Sequence, residues 1–332
     1  MHKYEQEDIV RIATLPYSWG KLENSTILLS GGTGLIGSFF CEVIKYRNKQ
    51  FNSNIKVISL SRNGGMSSDG INNIKADVTK EIKVEGNIDY VVHLASNTHP
   101  KDYEEDPIGT NMTNVSGCDN LLKVAKEKKA KKFILASSVE VYGSGIDHPI
   151  KEDEFGYISL EKYRSGYNEA KRLSEVLCQS YKKKYGLNIS IARFARVFGN
   201  NKRLDTKALS QFIEKAVNKE DIVLNSVGNQ KYSFVYVADA VSALFKIIID
   251  GKNGEAYNVS DDDENKSLKD YASYLSDLAN TKLTIQLKNN EAASSAINAL
   301  LDTSKIKSIG WKPLYTVSEA LKRLFIIKTE SK

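Results

Sequence analysis

Apolar residues along this chain gather in short continuous runs, separated by longer stretches in which they recur every three or four positions. Thr26–Ser30 (TILLS) is such a run, and after a few glycines it gives way to LIGSFFCEVIKY, whose spacing is helical. Further runs at 55–60 (IKVISL), 90–96 (YVVHLAS), 132–138 (KFILASS) and 189–194 (ISIARF) predict strands. Asn114–Lys128 and Tyr167–Tyr185 predict long amphipathic helices between them. Strands alternating with helices make an α/β protein with a parallel, doubly wound sheet. The alternation fades over 200–232 and 261–332, which predicts a smaller C-terminal α/β lobe for substrate. Phe234–Ile249 and AYNVS (256–260) rejoin the main domain. The expected division is therefore 1–199 plus about 233–260 for the main domain, with a polar N-terminal extension over 1–24 that contains Trp19.

With 332 residues, 41% of them apolar, the chain can bury a large core and is not disordered. The net charge of +6 comes from interspersed charges of both signs with no dense basic tract, which argues against nucleic acid as a partner and is compatible with an anionic, phosphate-bearing substrate. Cys41, Cys118 and Cys178 lie in predicted helices without paired or metal-like spacing, as expected in a reducing cytoplasm. The opening MHKYEQEDIV is charged, and the apolar runs are too short to span a bilayer, so a soluble protein off the membrane is expected. His2, His93, His99 and His148 show no ligand spacing, so no metal is expected.

Two motifs carry chemistry. In SGGTGLIG, Gly31, Gly34 and Gly37 follow a strand and open a helix. The first permits a tight turn, the second lets backbone approach a pyrophosphate, and the third lets helix pack on sheet. This is a dinucleotide cradle of Rossmann type, and Gly31, Thr33, Gly34, Leu35, Ile36 and Gly37 are its candidate residues. The second strand ends in Ser61 and Arg62, where an acidic residue would hold the ribose hydroxyls of NAD. With no carboxylate to repel a 2′-phosphate and an arginine to pair with it, NADP is favoured over NAD. Asp77, Val78, Leu94, Ala95 and Ser96 are expected around the adenine and the phosphates. The second motif is Tyr167-x-x-x-Lys171. Four residues return to one helix face, so the Lys171 ammonium can lie beneath the Tyr167 phenol and favour its ionised form, as a proton shuttle requires.

The segments GGTGLIG, ADV, HLAS, NVSG, ASSVEVYG, YNEAK and ARFARVFG occur in an order that resembles the extended short-chain dehydrogenase/reductases acting on nucleotide sugars. HLASNTHPKDYEEDP, SVEVYG, RSGYNEAKRLSEVLC and the closing LDTSKIKSIGWKPLYTVSEALK look most like the branch containing UDP-glucuronate decarboxylases and hexose 4,6-dehydratases. The resemblance implies that Ser138 hydrogen-bonds the reacting sugar oxygen, that Tyr167 exchanges its proton, and that Lys171 holds Tyr167 and the nicotinamide ribose. Glu140 takes the family's extra acid-base position, where a glutamate removes a proton next to a transient ketone. By the same resemblance Val197 faces the cofactor, Thr98, Arg196, Asn200, Lys231 and Tyr232 join Ser138 around the substrate, and the two long helices form a homodimer interface.

The departures bear on the reaction. Val139 stands where 4,6-dehydratases carry an aspartate, and Tyr232 stands where decarboxylases carry an arginine. Lys231 lacks the bidentate fork that would replace that arginine, which argues against decarboxylation. Arg196 replaces the usual asparagine and Asn200 the usual proline, so the pocket is rearranged. Epimerisation or 4,6-dehydration with recycled nicotinamide is the leading expectation. Net reduction of a nucleotide-linked keto-sugar by NADPH, and a non-catalytic dinucleotide-binding protein, are the alternatives.

Overall fold

The computed structural model describes residues 1–97, 104–201, 207–287 and 299–332. Seven parallel strands build the main sheet: β1 (Thr26–Ser30), β2 (Lys56–Ser61), β3 (Ile71–Lys75), β4 (Tyr90–His93), β5 (Lys132–Ser138), β6 (Ile189–Phe194) and β10 (Glu255–Val259). Their spatial order is β3-β2-β1-β4-β5-β6-β10, so the winding reverses between β1 and β4 and opens a crevice at their carboxyl ends. Along β1, Ile27 and Leu29 enter the core on one face and Leu28 the core on the other. Burial on both faces explains why these strands read as unbroken apolar runs rather than as alternation.

Helices α2 (Leu35–Phe51) and α6 (Val237–Asp250) cover one face, where the rings of Phe40 and Phe245 stack at 4.3 Å. Helices α3 (Pro107–Glu127) and α4 (Ser165–Tyr185) cover the other, around Leu121, Phe133 and Cys178. Both begin earlier than their apolar periodicity predicts. Asp106 caps α3 by accepting from the Gly109 amide at 2.8 Å, with Pro107 in the first turn, and neither residue carries an apolar signal. All three cysteines are free and buried.

The N-terminal stretch is more ordered than a polar lead suggests. Helix α1 (Lys3–Ala13) buries Ile9, Ile12 and Ala13, and Asp8 is fully enclosed. The Asp8 carboxylate accepts from Tyr236 (2.9 Å), Tyr315 (2.6 Å) and Arg323 (2.7 Å), so α1 is tied to segments more than two hundred residues away. Burial raises the Asp8 pKa, and Tyr315 and Arg323 oppose that rise. Beyond the main sheet, β7 (Arg196–Phe198) pairs with β9 (Phe234–Tyr236), and β8 (Ile222–Leu224) with β11 (Leu283–Ile285), both parallel. Helices α5 (Ala208–Val217), α7 (Leu268–Ala279) and α9 (Val317–Glu330) pack around them, and α8 (Ser304–Ser308) packs on β10.

A buried ionic network holds α4 to the sheet. Arg193 at the end of β6 grips Glu175 of α4 through Nη2 at 2.7 Å and Nε at 3.0 Å, and its Nη1 donates to the Tyr142 hydroxyl at 2.9 Å. Ser137 of β5 donates to the same glutamate at 2.5 Å. Removing the cation would strand Glu175 in a low-dielectric interior. Arg193→Met is therefore expected to cost about 3–5 kcal/mol of stability in urea denaturation. A loss below about 1 kcal/mol, the level of an exposed ion pair, would contradict this reading.

Candidate active site

The glycine turn has the shape expected of it. Gly31 has φ +78°, and a Cβ there would lie 2.9 Å from the Ala95 amide nitrogen and 3.0 Å from the Leu94 carbonyl carbon, so the turn and the end of β4 touch backbone to backbone. A Cβ on Gly37 would fall 2.3 Å from the Gly31 carbonyl oxygen. Gly34 caps α2 without a side-chain hydrogen bond, and nothing but the Gly31 oxygen at 3.3 Å approaches its Cβ position. Thr33 and Gly34 are exposed, and Leu35 and Ile36 are half-buried at the first turn of α2, which carries no acidic residue. An uncapped helix N-terminus beneath an open glycine suits a pyrophosphate, so these residues fit a dinucleotide. Gly32 was not foreseen: a Cβ there would overlap the Ser59 hydroxyl of β2.

On the adenosine side, Ser61 turns inward and donates to the Gly64 carbonyl at 2.7 Å, while Arg62 is exposed and reaches the Asn97 side chain at 3.3 Å. Asp77 accepts from the amide and hydroxyl of Thr79 (2.9 and 2.8 Å), which lowers its pKa. Val78 is buried, and its carbonyl accepts from Asn120. Ser96 donates to Asn114 of α3 at 2.9 Å. Behind Leu94 and Ala95, the Ser30 hydroxyl meets His93 Nδ1 at 2.7 Å and accepts from the Ala95 amide at 3.2 Å. Burial, reinforced by the charge of Lys171, holds His93 neutral by lowering its pKa to about 3.

The reacting end is assembled by β5, the 3₁₀ turn Val139–Tyr142 that follows it, and α4. Ser138 ends β5, and its hydroxyl accepts from the Glu140 amide at 3.2 Å. Tyr167 and Lys171 are both buried on the face of α4 turned toward this strand. The Lys171 Nζ lies over the Tyr167 ring, 5.8 Å from its centroid, and donates to the Ala136 carbonyl of β5 at 2.8 Å. Burial lowers the Lys171 pKa to about 8.

Glu140 is gripped by a residue not foreseen. The Asn168 carboxamide donates to the Glu140 carbonyl at 2.9 Å and to its carboxylate at 3.0 Å. Arg172, one turn further, donates to the Val141 carbonyl at 2.7 Å and the Gly156 carbonyl at 2.9 Å. The signal was present as an i, i+4 polar pair one position behind Tyr167 and Lys171. Gly166 was also missed: a Cβ there would meet the Asn111 side chain at 2.5 Å, so α3 and α4 close tightly just before Tyr167.

Further along, the Arg196 guanidinium lies over the Tyr232 ring, its Cζ 3.9 Å from the centroid. Burial lowers the Arg196 pKa and the Glu140 carboxylate opposes that shift, while its Nη1 has no hydrogen-bond partner among the described residues. Both residues line a cavity of about 180 Å³ with Val197, Phe198, Lys207, Leu209, Ser210, Phe234 and Leu268. Lys231 sits beside this wall, bridged to Ser267. Asn200 points elsewhere and donates to Glu5 of α1 at 3.0 Å. Thr98 lies outside the described residues. No helix among the described residues is long and apolar enough to cross a membrane.

The profile of the NAD dependent epimerase/dehydratase family matches residues 27–260. UDP-glucuronic acid decarboxylase 5 of Arabidopsis thaliana is 30% identical over 309 residues, covering 90% of this chain and 87% of that protein. Among solved structures, UDP-glucose 4-epimerase of Thermotoga maritima, determined with UDP-glucose, superposes with TM-score 0.77 at 22% identity over 92% of this chain and 99% of its own. The dTDP-glucose 4,6-dehydratase of Streptomyces venezuelae, determined with NAD, gives 0.75 at 19% identity over 92% and 97%. At these identities the two structures establish the fold alone.

Lys171 makes stability depend on pH in a defined direction. Its pKa is about 8 when folded against 10.5 when free, so between these values the unfolded chain binds one more proton, and the group's contribution to stability rises with pH. The stability of the wild type minus that of Lys171→Met should climb by about 3 kcal/mol from pH 8 to pH 10.5, read from urea denaturation at each pH. A flat difference would mean that the lysine is solvated.

Proposed function

The chain belongs to the NAD dependent epimerase/dehydratase family, and from that premise we propose that it remodels a nucleotide-activated sugar by transient oxidation, with epimerisation or 4,6-dehydration as the net result. The observation that carries this reading is the joint burial of Tyr167 and Lys171 on the face of α4 that meets β5, next to Ser138 and Glu140. A dinucleotide bound at the glycine turn supplies the hydride acceptor. Ser138 hydrogen-bonds the sugar hydroxyl, Tyr167 takes its proton, and the Lys171 ammonium keeps the phenolate accessible. Glu140 then works on the carbon next to the new ketone. Thr98, Arg196, Lys231 and Tyr232 hold the substrate, with the Arg196 guanidinium toward its diphosphate. Asn200, which donates to Glu5 of α1, stands apart from this wall. Residues 200–232 and 261–332 act as the substrate lobe on a Rossmann domain of 1–199 and about 233–260.

NADP is the preferred cofactor in this reading. Arg62 is exposed at the end of β2, and Ser61 beside it offers no carboxylate to repel a 2′-phosphate. The same feature favours a second reading, net reduction of a nucleotide-linked keto-sugar by NADPH. Both are tested by incubating the enzyme with UDP-, dTDP-, GDP- and CDP-sugars and their keto forms, with NAD and NADP in parallel. Product without net change at 340 nm supports the first reading, and stoichiometric NADPH loss supports the second. Tyr167→Phe should lower turnover about 10²–10⁴-fold while dinucleotide binding persists. Turnover equal to wild type would remove Tyr167 from the chemistry, whereas dinucleotide binding without turnover of any sugar by the wild type would leave a non-catalytic binding protein.

We further propose a homodimer through α3 and α4. Ile108 and Met112 on α3, and Leu173 and Val176 on α4, form exposed apolar pairs at helical spacing, with Ile108 75% and Val176 58% exposed. Sedimentation at micromolar concentration should give twice the chain mass of 37.0 kDa, and Val176→Glu should give monomer. A monomeric wild type would refute this interface.

A further inference from the structure

Helix α4 holds the reacting end of the site by two interleaved pairs. Lys171 binds the Ala136 carbonyl of β5 at 2.8 Å from the face that also carries Tyr167. One position along, Asn168 and Arg172 hold the carbonyls of Glu140 and Val141 in the turn that follows β5, at 2.9 and 2.7 Å. Asn168 differs from the other two in what it adds. Its single amide group reaches both the main-chain carbonyl and, at 3.0 Å, the Oε2 of the same glutamate. A two-point grip removes rotamer freedom that a glutamate at a turn would otherwise keep. It also leaves the second carboxylate oxygen outside the grip, in a charge field shared with the Arg196 guanidinium.

Only a hydrogen-bond donor can do this. A carboxylate at position 168 would face both the carbonyl and the carboxylate of Glu140 and be repelled by each, and an aliphatic side chain would let the glutamate swing. We propose that Asn168 is a positioning residue that aims Glu140 at the carbon beside the transient ketone, so that the second proton transfer depends on it and the first, at Tyr167, does not. This rests on the nucleotide-sugar reading above and assigns its two proton transfers to separate supports. Once the sugar carries a ketone, the Glu140 carboxylate takes the proton from the neighbouring carbon. The bonding pair moves into the adjacent C–C bond and onto the ketone oxygen, which Ser138 and Tyr167 stabilise by hydrogen bonds. In a dehydration the Glu140 carboxyl gives its proton to the departing hydroxyl, and the hydride that a bound dinucleotide would hold goes to the carbon left behind. In an epimerisation solvent protonates the opposite face of the same carbon while Glu140 loses its proton to water, and that hydride goes back to the ketone carbon.

The test separates the two transfers in one enzyme. With the active sugar from the panel, single-turnover absorbance at 340 nm follows the Tyr167 step, and mass spectrometry of deuterium taken up from D₂O at the carbon beside the ketone follows the Glu140 step. Asn168→Ala should slow deuterium uptake about 10–100-fold while changing the 340-nm step by less than about 3-fold. Asn168→Gln, which keeps the donor, should recover part of the loss. Asn168→Asp should move the acid limb of the exchange profile to higher pH by about one unit, because a second carboxylate disfavours ionisation of the first. Unchanged deuterium uptake in Asn168→Ala, or equal loss of both steps in all three variants, would overturn the proposal.

If no nucleotide sugar turns over in the wild type, the reading of the preceding subsection fails, and carboxyl-¹³C titration still decides this one. The resonance absent from Glu140→Gln should titrate at higher pH in Asn168→Asp than in wild type. An unmoved midpoint would refute contact between the two side chains.

Discussion

Everything at the reacting end follows from one constraint: helix α4 is fixed to the sheet by polar side chains buried where slippage would be costly. Glu175 is held by Arg193 and Ser137, Lys171 by the Ala136 carbonyl, and Arg172 by the carbonyls of Val141 and Gly156. Apolar packing between a helix and a sheet tolerates small slides, because dispersion has no direction. Hydrogen bonds to charged groups in a low-dielectric interior do not, since an unmade one costs the full desolvation of its partner. Tyr167 inherits its position from this registration.

The same logic runs into the second half of the chain. Arg193 also binds the Tyr142 hydroxyl, Tyr142 binds Asn258, and Asn258 holds the carbonyls of Ile150 and Asp302. One connected polar network thus spans the turn after β5, the last strand of the sheet and the C-terminal segment. The stacked pair Arg196 and Tyr232 is a further variation on this use of buried cations. A guanidinium laid on an aromatic ring loses less on dehydration than one facing aliphatic carbon, and its Nη1 has no hydrogen-bond partner among the described residues.

The main sheet was legible because its strands are buried on both faces and read as apolar runs, and the glycine turn because Gly31 and Gly37 have no room for a Cβ. The shorter strands were not. Residues 196–198, 222–224, 234–236 and 283–285 are three-residue segments, below the length at which any period can be recognised. INNIK at 71–75 pairs at the sheet edge with polar residues in its centre, so its strand character comes from the partner rather than from its own pattern. Helix α1 was hidden for a different reason. Its burial depends on Asp8 meeting Tyr236, Tyr315 and Arg323, and an aspartate reads as solvent-facing until partners distant in sequence are known. At the candidate site, Ser138, Tyr167 and Lys171 were visible as a motif, whereas Asn168 and Arg172 were not, because the carbonyls they hold belong to a turn some thirty residues earlier.

The central claim is that the buried phenol of α4 stands where a dinucleotide held by the glycine turn meets a sugar hydroxyl. A crystal structure of the ternary complex with a dinucleotide and a nucleotide sugar tests it most directly. The account predicts the Tyr167 oxygen within about 3.5 Å of the reacting sugar oxygen, with the nicotinamide C4 beside the same carbon. A dinucleotide seated away from Gly31–Gly37, or a sugar out of reach of Tyr167, would contradict it.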